Sequence, residues 1–397
     1  MKTLVLRGGE GIERAAGILR RGGLCVIPTE TVYGLACDAG NPEALARLRE
    51  LKGRPPGKPF STLVSGIPCG GNADIEKLAR AFAPGPMTLV LPREGGAGSV
   101  GLRVPAHDTA LALLRLCAFP LAAPSANAEG EAPPVTFDDA LRRFDGKAEC
   151  AIDGGDCARG AESTVLLLTA EPYRIARRGA VTKRAVENVL GKKIDGMTVV
   201  GITGGAGAGK TTATRVLKTL GAEIIDCDEV YHSLAAGPSD MLRELSASFP
   251  GVVSGGALDR KALGNIVFRD EKALAELNKI THSHVGREVS RLLREYDRAG
   301  AEIVAVEAIA LIESGRAAAC DLTVAVVAPE DVRVRRVAER DGVSEEYAVA
   351  RAAAQKPEEF YRAGCDDTLV NGGDEREFER LCREYFAARL RGAVKRF

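Results

Sequence analysis

Residues 198–212 read TVVGITGGAGAGKTT, an apolar run of strand type that breaks into glycines and then resumes as a helix-forming segment. Gly204, Gly205, Ala206, Gly207, Ala208, Gly209, Lys210 and Thr211 satisfy the pattern G-x-x-x-x-G-K-[ST], set between a strand and a helix as a phosphate-binding loop requires. Small residues let backbone N–H groups face phosphate oxygens, the N-terminus of the next helix adds partial positive charge, and Lys210 neutralises the β and γ phosphates. Thr211 is the expected Mg2+ ligand, and Thr212 completes the ATP-binding stretch.

Outward from the loop, strand patterns at 198–203, 223–226, 302–306 and 322–327 alternate with helical ones at 210–220 and through 290–296. Strands separated by helices predict a doubly wound parallel sheet. A phosphate loop alone leaves kinase, GTPase and motor open. The guanine-reading pattern N-K-x-D is missing, since Asn278-Lys279 runs into Ile280-Thr281, so a GTPase is disfavoured. Ile224-Ile225-Asp226-Cys227-Asp228 instead ends a second strand in acid, where a carboxylate can take a proton from an acceptor hydroxyl as the γ-phosphoryl group moves.

The first half also alternates, with apolar runs at 24–27, 88–91, 120–123 and 164–168 and helical patterns at 42–51 and 109–116, which argues an α/β or mixed layer fold. Gly191-Lys-Lys-Ile-Asp-Gly196 reads as a linker between domains at 1–190 and 197–397. At 397 residues the chain is too long for one ordinary core. Lys plus Arg and Asp plus Glu each total 54, so no global field draws it to nucleic acid or membrane, and tRNA binding is expected to be weak or absent. No apolar run approaches the roughly 20 residues that span a bilayer. Ten scattered cysteines without a C-x-x-C pair, and four histidines, fit reduced thiols in a cytoplasmic protein and exclude a standard zinc spacing.

The blocks GITGGAGAGKTT, LGAEIIDCDEV, LDRKAL with VF after it, the His282 segment, EAIALIESG, ARAAAQ and DDTLVNGG occur in an order that resembles dephospho-CoA kinase over nearly all of 197–391. The resemblance implies Asp228 as base, Arg351 as lid arginine, substrate contacts at Asp226, Arg260 and His282, and an adenine-side loop at Asn371-Gly372-Gly373. The chain departs from that family at His282-Ser283, where His-Pro is usual, at Ile309-Ala-Leu-Ile-Glu313, where Pro-Leu-Leu-Phe-Glu is usual, and at Tyr361, where a lysine is expected.

In the first half, GGLCVIPTETVYGL at 22–35 precedes Lys52-Gly-Arg54-Pro-Pro-Gly-Lys58-Pro, whose cations on a proline-stiffened turn suit a triphosphate. Further blocks are Val100-Gly-Leu-Arg103, Ser125-Ala-Asn127, Glu162-Ser163-Thr164 and Arg177-Arg178-Gly179. Physics alone reads an anion site with hydroxyl and amide donors. Together the blocks resemble the YrdC/TsaC family, L-threonylcarbamoyladenylate synthase, over about 3–190. The K-x-R and S-x-N pairs of that family appear as Lys52/Arg54 and Ser125/Asn127. By resemblance Thr31, Tyr33, Arg103 and Ser163 form the threonine pocket, and Lys52, Arg54, Lys58, Ser125, Asn127 and Arg177 form the ATP site. Departures fall at Leu63, where some relatives carry histidine, and at Ala128-Glu129-Gly130, where Ser-Gly is usual.

The expected architecture is therefore α/β throughout: a YrdC-like twisted mixed sheet with helices, then a P-loop NTPase with helical substrate and lid segments. The expected chemistry is two ATP-dependent reactions, with Mg2+ held in the second half by Thr211. One condenses L-threonine, bicarbonate and ATP, with downstream transfer proteins that carry the product to the t6A position of tRNA. The other phosphorylates dephospho-CoA. The alternatives are a first half that binds RNA without catalysis and a second half that is a kinase of another small molecule. Lys210→Ala is expected to abolish kinase turnover, read as ADP release, while leaving diphosphate release by the first half intact.

Overall fold

Apolar runs too short to span a core alone pair side by side, and in the first half they form one mixed sheet. The structure is a computed structural model in which residues 2–93, 98–128, 131, 133–158, 162–267, 270–372 and 374–390 are described; Glu129, Gly130, Phe268 and Gly373 lie outside them. The chain divides into Met1–Gly196 and Met197–Phe397.

The first unit runs β1 (Leu4–Leu6), α1 (Gly8–Arg20), β2 (Cys25–Ile27), β3 (Gly34–Asp38), α2 (Pro42–Lys52), β4 (Ser61–Leu63), α3 (Ala73–Phe82), β5 (Met87–Pro92), β6 (Ser99–Arg103), α4 (Asp108–Cys117), β7 (Leu121–Ala122), α5 (Phe137–Phe144), β8 (Cys150–Ile152), β9 (Thr164–Leu167), β10 (Arg174–Arg177) and α6 (Lys183–Leu190). Its ten described strands lie in the order β1-β8-β2-β3-β7-β4-β6-β5-β9-β10. Parallel pairs such as β4–β6 and β5–β9 alternate with antiparallel ones such as β2–β3 and β5–β6. Helices cover the sheet because their apolar stripes need burial: Leu48 of α2 and Phe137 and Phe144 of α5 pack on Val26 and Leu35, while Leu19 of α1 and Leu113 of α4 pack on Ile27 and Ile152. Helix α2 has sharp ends, with the Asn41 side chain accepting from Ala44 N and Gly53 left-handed at φ 59° beyond its last turn. That stop throws Arg54 into the loop that follows.

Residues 191–196 are not the free linker expected from their glycines and lysines. Ile194 is 4% exposed and belongs to the core with Leu78, Leu89 and Val186. Asp195 bridges Arg174 as a further sheet partner, and Lys192 lies 2.8 Å from Asp74. Composition signalled a break, but one apolar residue among six is enough to dock a short segment beside an open sheet edge.

The second unit runs β11 (Thr198–Thr203), α7 (Lys210–Thr219), β12 (Glu223–Asp226), α8 (Cys227–Ala235), α9 (Asp240–Ser248), β13 (Val253–Ser254), β14 (Ala257–Leu258), α10 (Arg260–Val267), α11 (Glu271–Arg298), β15 (Ile303–Glu307), β16 (Leu322–Val327), α12 (Glu330–Asp341), α13 (Glu345–Ala353), α14 (Glu358–Gly364), β17 (Asp367–Val370) and α15 (Glu375–Arg389). Five strands lie in the order β12-β15-β11-β16-β17, every neighbouring pair parallel. In this register Glu307 stands opposite both Ile202 and Asp226, so β11, β12 and β15 end together at one edge. The open carboxyl edge of a parallel sheet is where ligands bind. Helices α8 to α11 and the β13–β14 hairpin form a separate apolar cluster around Met241, Leu245, Leu263 and Ile280.

Ile194→Ala should lower the stability of the first unit by about 2 to 5 kcal/mol, the range for truncating a buried aliphatic side chain. A denaturant midpoint equal to that of the unsubstituted chain would return 191–196 to the status of a linker.

Candidate active sites

In the second unit the turn after β11 is close-packed from outside. Gly204 has φ 142°, and a Cβ there would lie 2.0 Å from the Val326 carbonyl oxygen; at Gly209, φ 104°, it would meet the Asn371 amide at 2.3 Å. Both positions admit glycine alone. Four consecutive loop carbonyls are each held by a side chain: Gly205 O by Lys210 Nζ at 3.2 Å, Ala206 O by Arg333 Nε at 3.2 Å, Gly207 O by Arg336 Nη1 at 3.3 Å, and Ala208 O by Asn371 Nδ2 at 2.9 Å. Arg336 Nη2 also donates to Asn371 Oδ1 at 3.1 Å, so arginine and asparagine hold each other. With the carbonyls engaged from outside, none of these four turns its oxygen toward an incoming anion.

Ala206 N donates to Gln355 Oε1 at 2.9 Å, and Arg333 Nη2 donates to the same oxygen at 2.9 Å. Lys210 is 9% exposed. Its ammonium pKa is lowered by burial, and Glu307 and Asp228 oppose that shift. Glu307 is buried and its carboxyl is pushed up by loss of solvent, with Lys210 acting the other way. Thr211 Oγ1 and Thr214 Oγ1 donate to Glu307 at 3.3 and 2.9 Å. Thr212 sits in the first turn of α7, its N–H on Gly209 O at 3.1 Å.

The two aspartates of the DCD turn differ in place. Asp226 Oδ1 accepts from the amides of Asp228 and Glu229, at 2.8 and 3.3 Å, and caps α8. Asp228 is exposed, and its carboxylate makes no hydrogen bond among the described residues. Arg340 of α12 acts electrostatically on both Asp228 and Lys210. Arg351 pairs with Asp341 at 2.6 Å rather than with the loop. Asp341, held first by Arg340, has its carboxyl lowered to about 2.

Arg260 Nη2 meets His232 Nδ1 at 2.8 Å, one helical turn beyond Asp228 on α8. His282 lies mid-way along α11, half-buried, and its imidazole is lowered by burial and by Arg316. Arg316 Nη2 donates to His282 O at 3.5 Å, and its charge also acts on Cys227. Of the departures, Ser283 is exposed, Ile309 O accepts from Thr203 Oγ1 at 3.0 Å, and Tyr361 is buried against Ala325 and Val327.

In the first unit Thr31 is fully buried. Thr29 Oγ1 accepts from the amides of Thr31 and Val32, both at 3.2 Å, and this tight turn presents Thr31 Oγ1 to Arg103 Nη2 at 2.9 Å. Arg103 is 7% exposed, donates through Nε to Gly85 O at 3.2 Å and lies 2.8 Å from Glu30. Ser163 Oγ sits 2.9 Å from Thr88 Oγ1 and accepts from Arg177 Nη2 at 3.0 Å. Arg177 pairs with Glu162 at 2.7 Å and is close enough to Arg103 to destabilise its charge. Tyr33 Oη donates to Gly155 O at 2.7 Å and accepts from Gly154 N at 3.1 Å; burial pushes its phenol up to about 12. Thr31, Arg103, Ser163 and Arg177 thus form one group. Leu63 pairs with Arg103 across β4 and β6 as a buried aliphatic residue.

Lys52 has a place other than the one expected. At 2% exposure its ammonium donates to Ser125 O at 2.7 Å, Asn127 Oδ1 at 3.2 Å and Asn127 O, so it holds the 125–127 turn rather than facing solvent. Asn127 is locked to Ala128 O and Glu131 O at 2.9 and 2.8 Å. Ser125 bridges Gly34. Arg54 donates to Pro59 O at 2.7 Å and lies 5.2 Å from the Phe60 ring, with exposed Lys58 beside it.

Sequence reasoning missed Glu30, Glu307, Arg316, Arg333, Arg336 and Gln355. Arg333, Arg336 and Arg340 are spaced i, i+3, i+7 on α12, and that shared face was the available signal.

Residues 17–179 match the Sua5/YciO/YrdC family, described as telomere recombination, and residues 198–377 match CoaE, dephospho-CoA kinase. The chain is 33% identical over 343 residues to a threonylcarbamoyl-AMP synthase of Pyrococcus abyssi, covering 77% of this chain and 93% of that protein. It is 37% identical over 197 residues to a dephospho-CoA kinase of Geobacter sulfurreducens, covering 49% of this chain and all of that protein. The chain belongs to both families. A threonylcarbamoyl-AMP synthase of Bacillus subtilis is 36% identical over 195 residues, but this chain covers only 56% of it. The first unit is thus the synthase-family unit and the second the kinase-family unit. No described helix is long and apolar enough to cross a membrane.

The cap geometry separates the two aspartates of the kinase-family unit. Asp226→Ala should cost about 1 kcal/mol of stability by uncapping α8. Asp228→Asn should leave the melting temperature unchanged and lower the maximal rate with little change in ATP affinity; an unchanged rate would remove Asp228 from proton transfer.

Proposed function

We propose that the chain is a bifunctional enzyme. The first unit converts L-threonine, bicarbonate and ATP into L-threonylcarbamoyladenylate and diphosphate, and the second transfers the γ-phosphoryl group of ATP to the ribose 3′-hydroxyl of dephospho-CoA. The observation that carries the second assignment is the loop of engaged carbonyls beside the exposed carboxylate of Asp228. The loop amides and Lys210 hold the β and γ phosphates, with Asn371 on the adenine side. Asp228 takes the hydroxyl proton as the new O–P bond forms and ADP leaves. Asp226, Arg260 and His282 line the acceptor side, and Arg351 works from the lid through Asp341 and Arg340. Thr211 and Glu307 supply hydroxyl and carboxylate oxygens 3.3 Å apart, a hard donor set that suits Mg2+. Mg2+ there would neutralise phosphate charge.

In the first unit Thr31, Tyr33, Arg103 and Ser163 hold threonine, and Arg54, Lys58, Ser125 and Arg177 hold ATP, with Lys52 and Asn127 fixing the turn that carries Ser125. Carbamate formed from threonine attacks the α-phosphorus, and diphosphate departs. The cation-lined and largely buried setting supports this reading, because a carbamate is labile in water. Proteins that transfer the threonylcarbamoyl group to tRNA are its expected partners, with little affinity of this chain for tRNA itself, and the cytoplasm is its place.

The test is an assay of the full-length chain for both reactions, with diphosphate and ADP quantified separately. Diphosphate release that needs both threonine and bicarbonate, and ADP release that needs dephospho-CoA, are expected. Salt-dependent tRNA binding without diphosphate release would overturn the first assignment, and failure to phosphorylate dephospho-CoA the second.

A further inference from the structure

Glu30 is the least satisfied charged group of the first unit. It is 7% exposed, and its Oε1 lies 2.8 Å from Arg103 Nη2, yet among the described residues neither carboxylate oxygen accepts a hydrogen bond in favourable geometry. A buried ion pair contributes little net stability unless its remaining lone pairs are satisfied, so this arrangement is poorly explained as scaffolding. The pair is also incomplete on the arginine side. Arg103 spends Nε on Gly85 O and Nη2 on Thr31 and Glu30, while Nη1 has no partner among the described residues. His107, which feels the charge of Glu30, has its own Nδ1 buried and unpartnered. The further charged and titratable groups facing this pair, among the described residues, are Arg177 and Cys157, whose thiol burial pushes up to about 11.

A ligand that completes this site must bring N–H donors to Glu30 and an acceptor to Arg103, at neighbouring positions. An α-amino acid does so, because ammonium and carboxylate stand on one carbon. We propose that Glu30 binds the α-ammonium of the amino-acid substrate and accepts its proton, with Arg103 holding the carboxylate, so that the buried pair is a clamp for a zwitterion. The inference rests on the reading of the first unit as an enzyme of L-threonine and adds a residue to it.

The clamp also meets a chemical need of carbamate formation. A protonated amine has no lone pair with which to attack. The nitrogen forms its bond to the bicarbonate carbon, water leaves, and the released proton goes to Glu30: R-NH3+ plus HCO3− gives R-NH-COO−, H2O and one proton. Nothing else is consumed. Charge-assisted hydrogen bonds in a buried site govern affinity by about tenfold to a hundredfold.

Titration calorimetry of the full-length chain with L-threonine and with 2,3-dihydroxybutanoate, in which a hydroxyl replaces the amine, tests this directly. The wild-type chain should favour L-threonine. Glu30→Gln should weaken L-threonine by about tenfold to a hundredfold and the hydroxy acid by much less, with threonine-dependent diphosphate release falling at least as far. Glu30→Asp, which keeps the charge, should recover part of both. Equal affinity of Glu30→Gln and wild type for L-threonine would overturn the clamp while leaving the synthase assignment standing, and so would an equal loss for both ligands. Glu30-dependent binding of a different α-amino acid would keep the clamp and overturn threonine as substrate. Should Glu30→Gln fail to fold, the wild-type comparison decides, and no preference for the amine over the hydroxyl would end the proposal.

Discussion

A backbone that is to bind a polyanion must have its carbonyls engaged elsewhere, since each carbonyl turned inward would repel phosphate. In the second unit this constraint organises everything around the loop at 204–211. Ala206, Gly207 and Ala208 have their carbonyls held by Arg333, Arg336 and Asn371. Those side chains come from α12 and from the end of β17, elements more than a hundred residues further along the chain. Glycine is needed at 207 and 209 for the same reason, because Arg333 and Asn371, which supply donors, press directly on the loop there, whereas 204 is closed by the Val326 carbonyl of β16. Helix α12 therefore belongs to the phosphate site as much as the loop itself does.

The first unit meets the same demand for anion binding with side chains instead of backbone. Its guanidinium groups are pre-oriented by acids and hydroxyls: Arg103 by Glu30 and Thr31, Arg177 by Glu162 and Ser163. Such pairing costs part of each cation's free charge but fixes its direction, and a planar guanidinium repays fixed direction with paired hydrogen bonds. Lys52 shows the limit of that economy. Its donors serve a turn of the chain, and its contribution to the site passes through the position of Ser125.

Local signals carried several of the elements. The apolar runs at 198–203, 223–226 and 322–327 became β11, β12 and β16 without change, and the helical pattern at 42–51 became α2 with one residue added. The loop and the DCD turn were legible because each is contiguous and its chemistry is set by residue type. What was not legible is what the fold brings from afar. Glu307 reads as the end of a strand, and only the parallel register that sets it opposite Ile202 and Asp226 shows that it meets the loop. Glu30 lies inside the 22–35 stretch without a signal of its own, because sequence shows a charge but not whether its lone pairs are met. Ile194 was masked by glycines and lysines around it.

Lys210 and Glu307 illustrate why such groups are retained. Burial disfavours the charge of each, pushing the lysine down and the carboxyl up, and each is the largest charge opposing the other's shift. Two buried opposite charges of this kind do not stabilise a fold beyond what an apolar pair of similar volume would. In the kinase reading proposed above, they would hold a cation where phosphate arrives and an acid where a hydroxyl of α7 is oriented. The incoming triphosphate would then supply the countercharge that the protein leaves incomplete, so that binding energy relieves a cost built into the unliganded site.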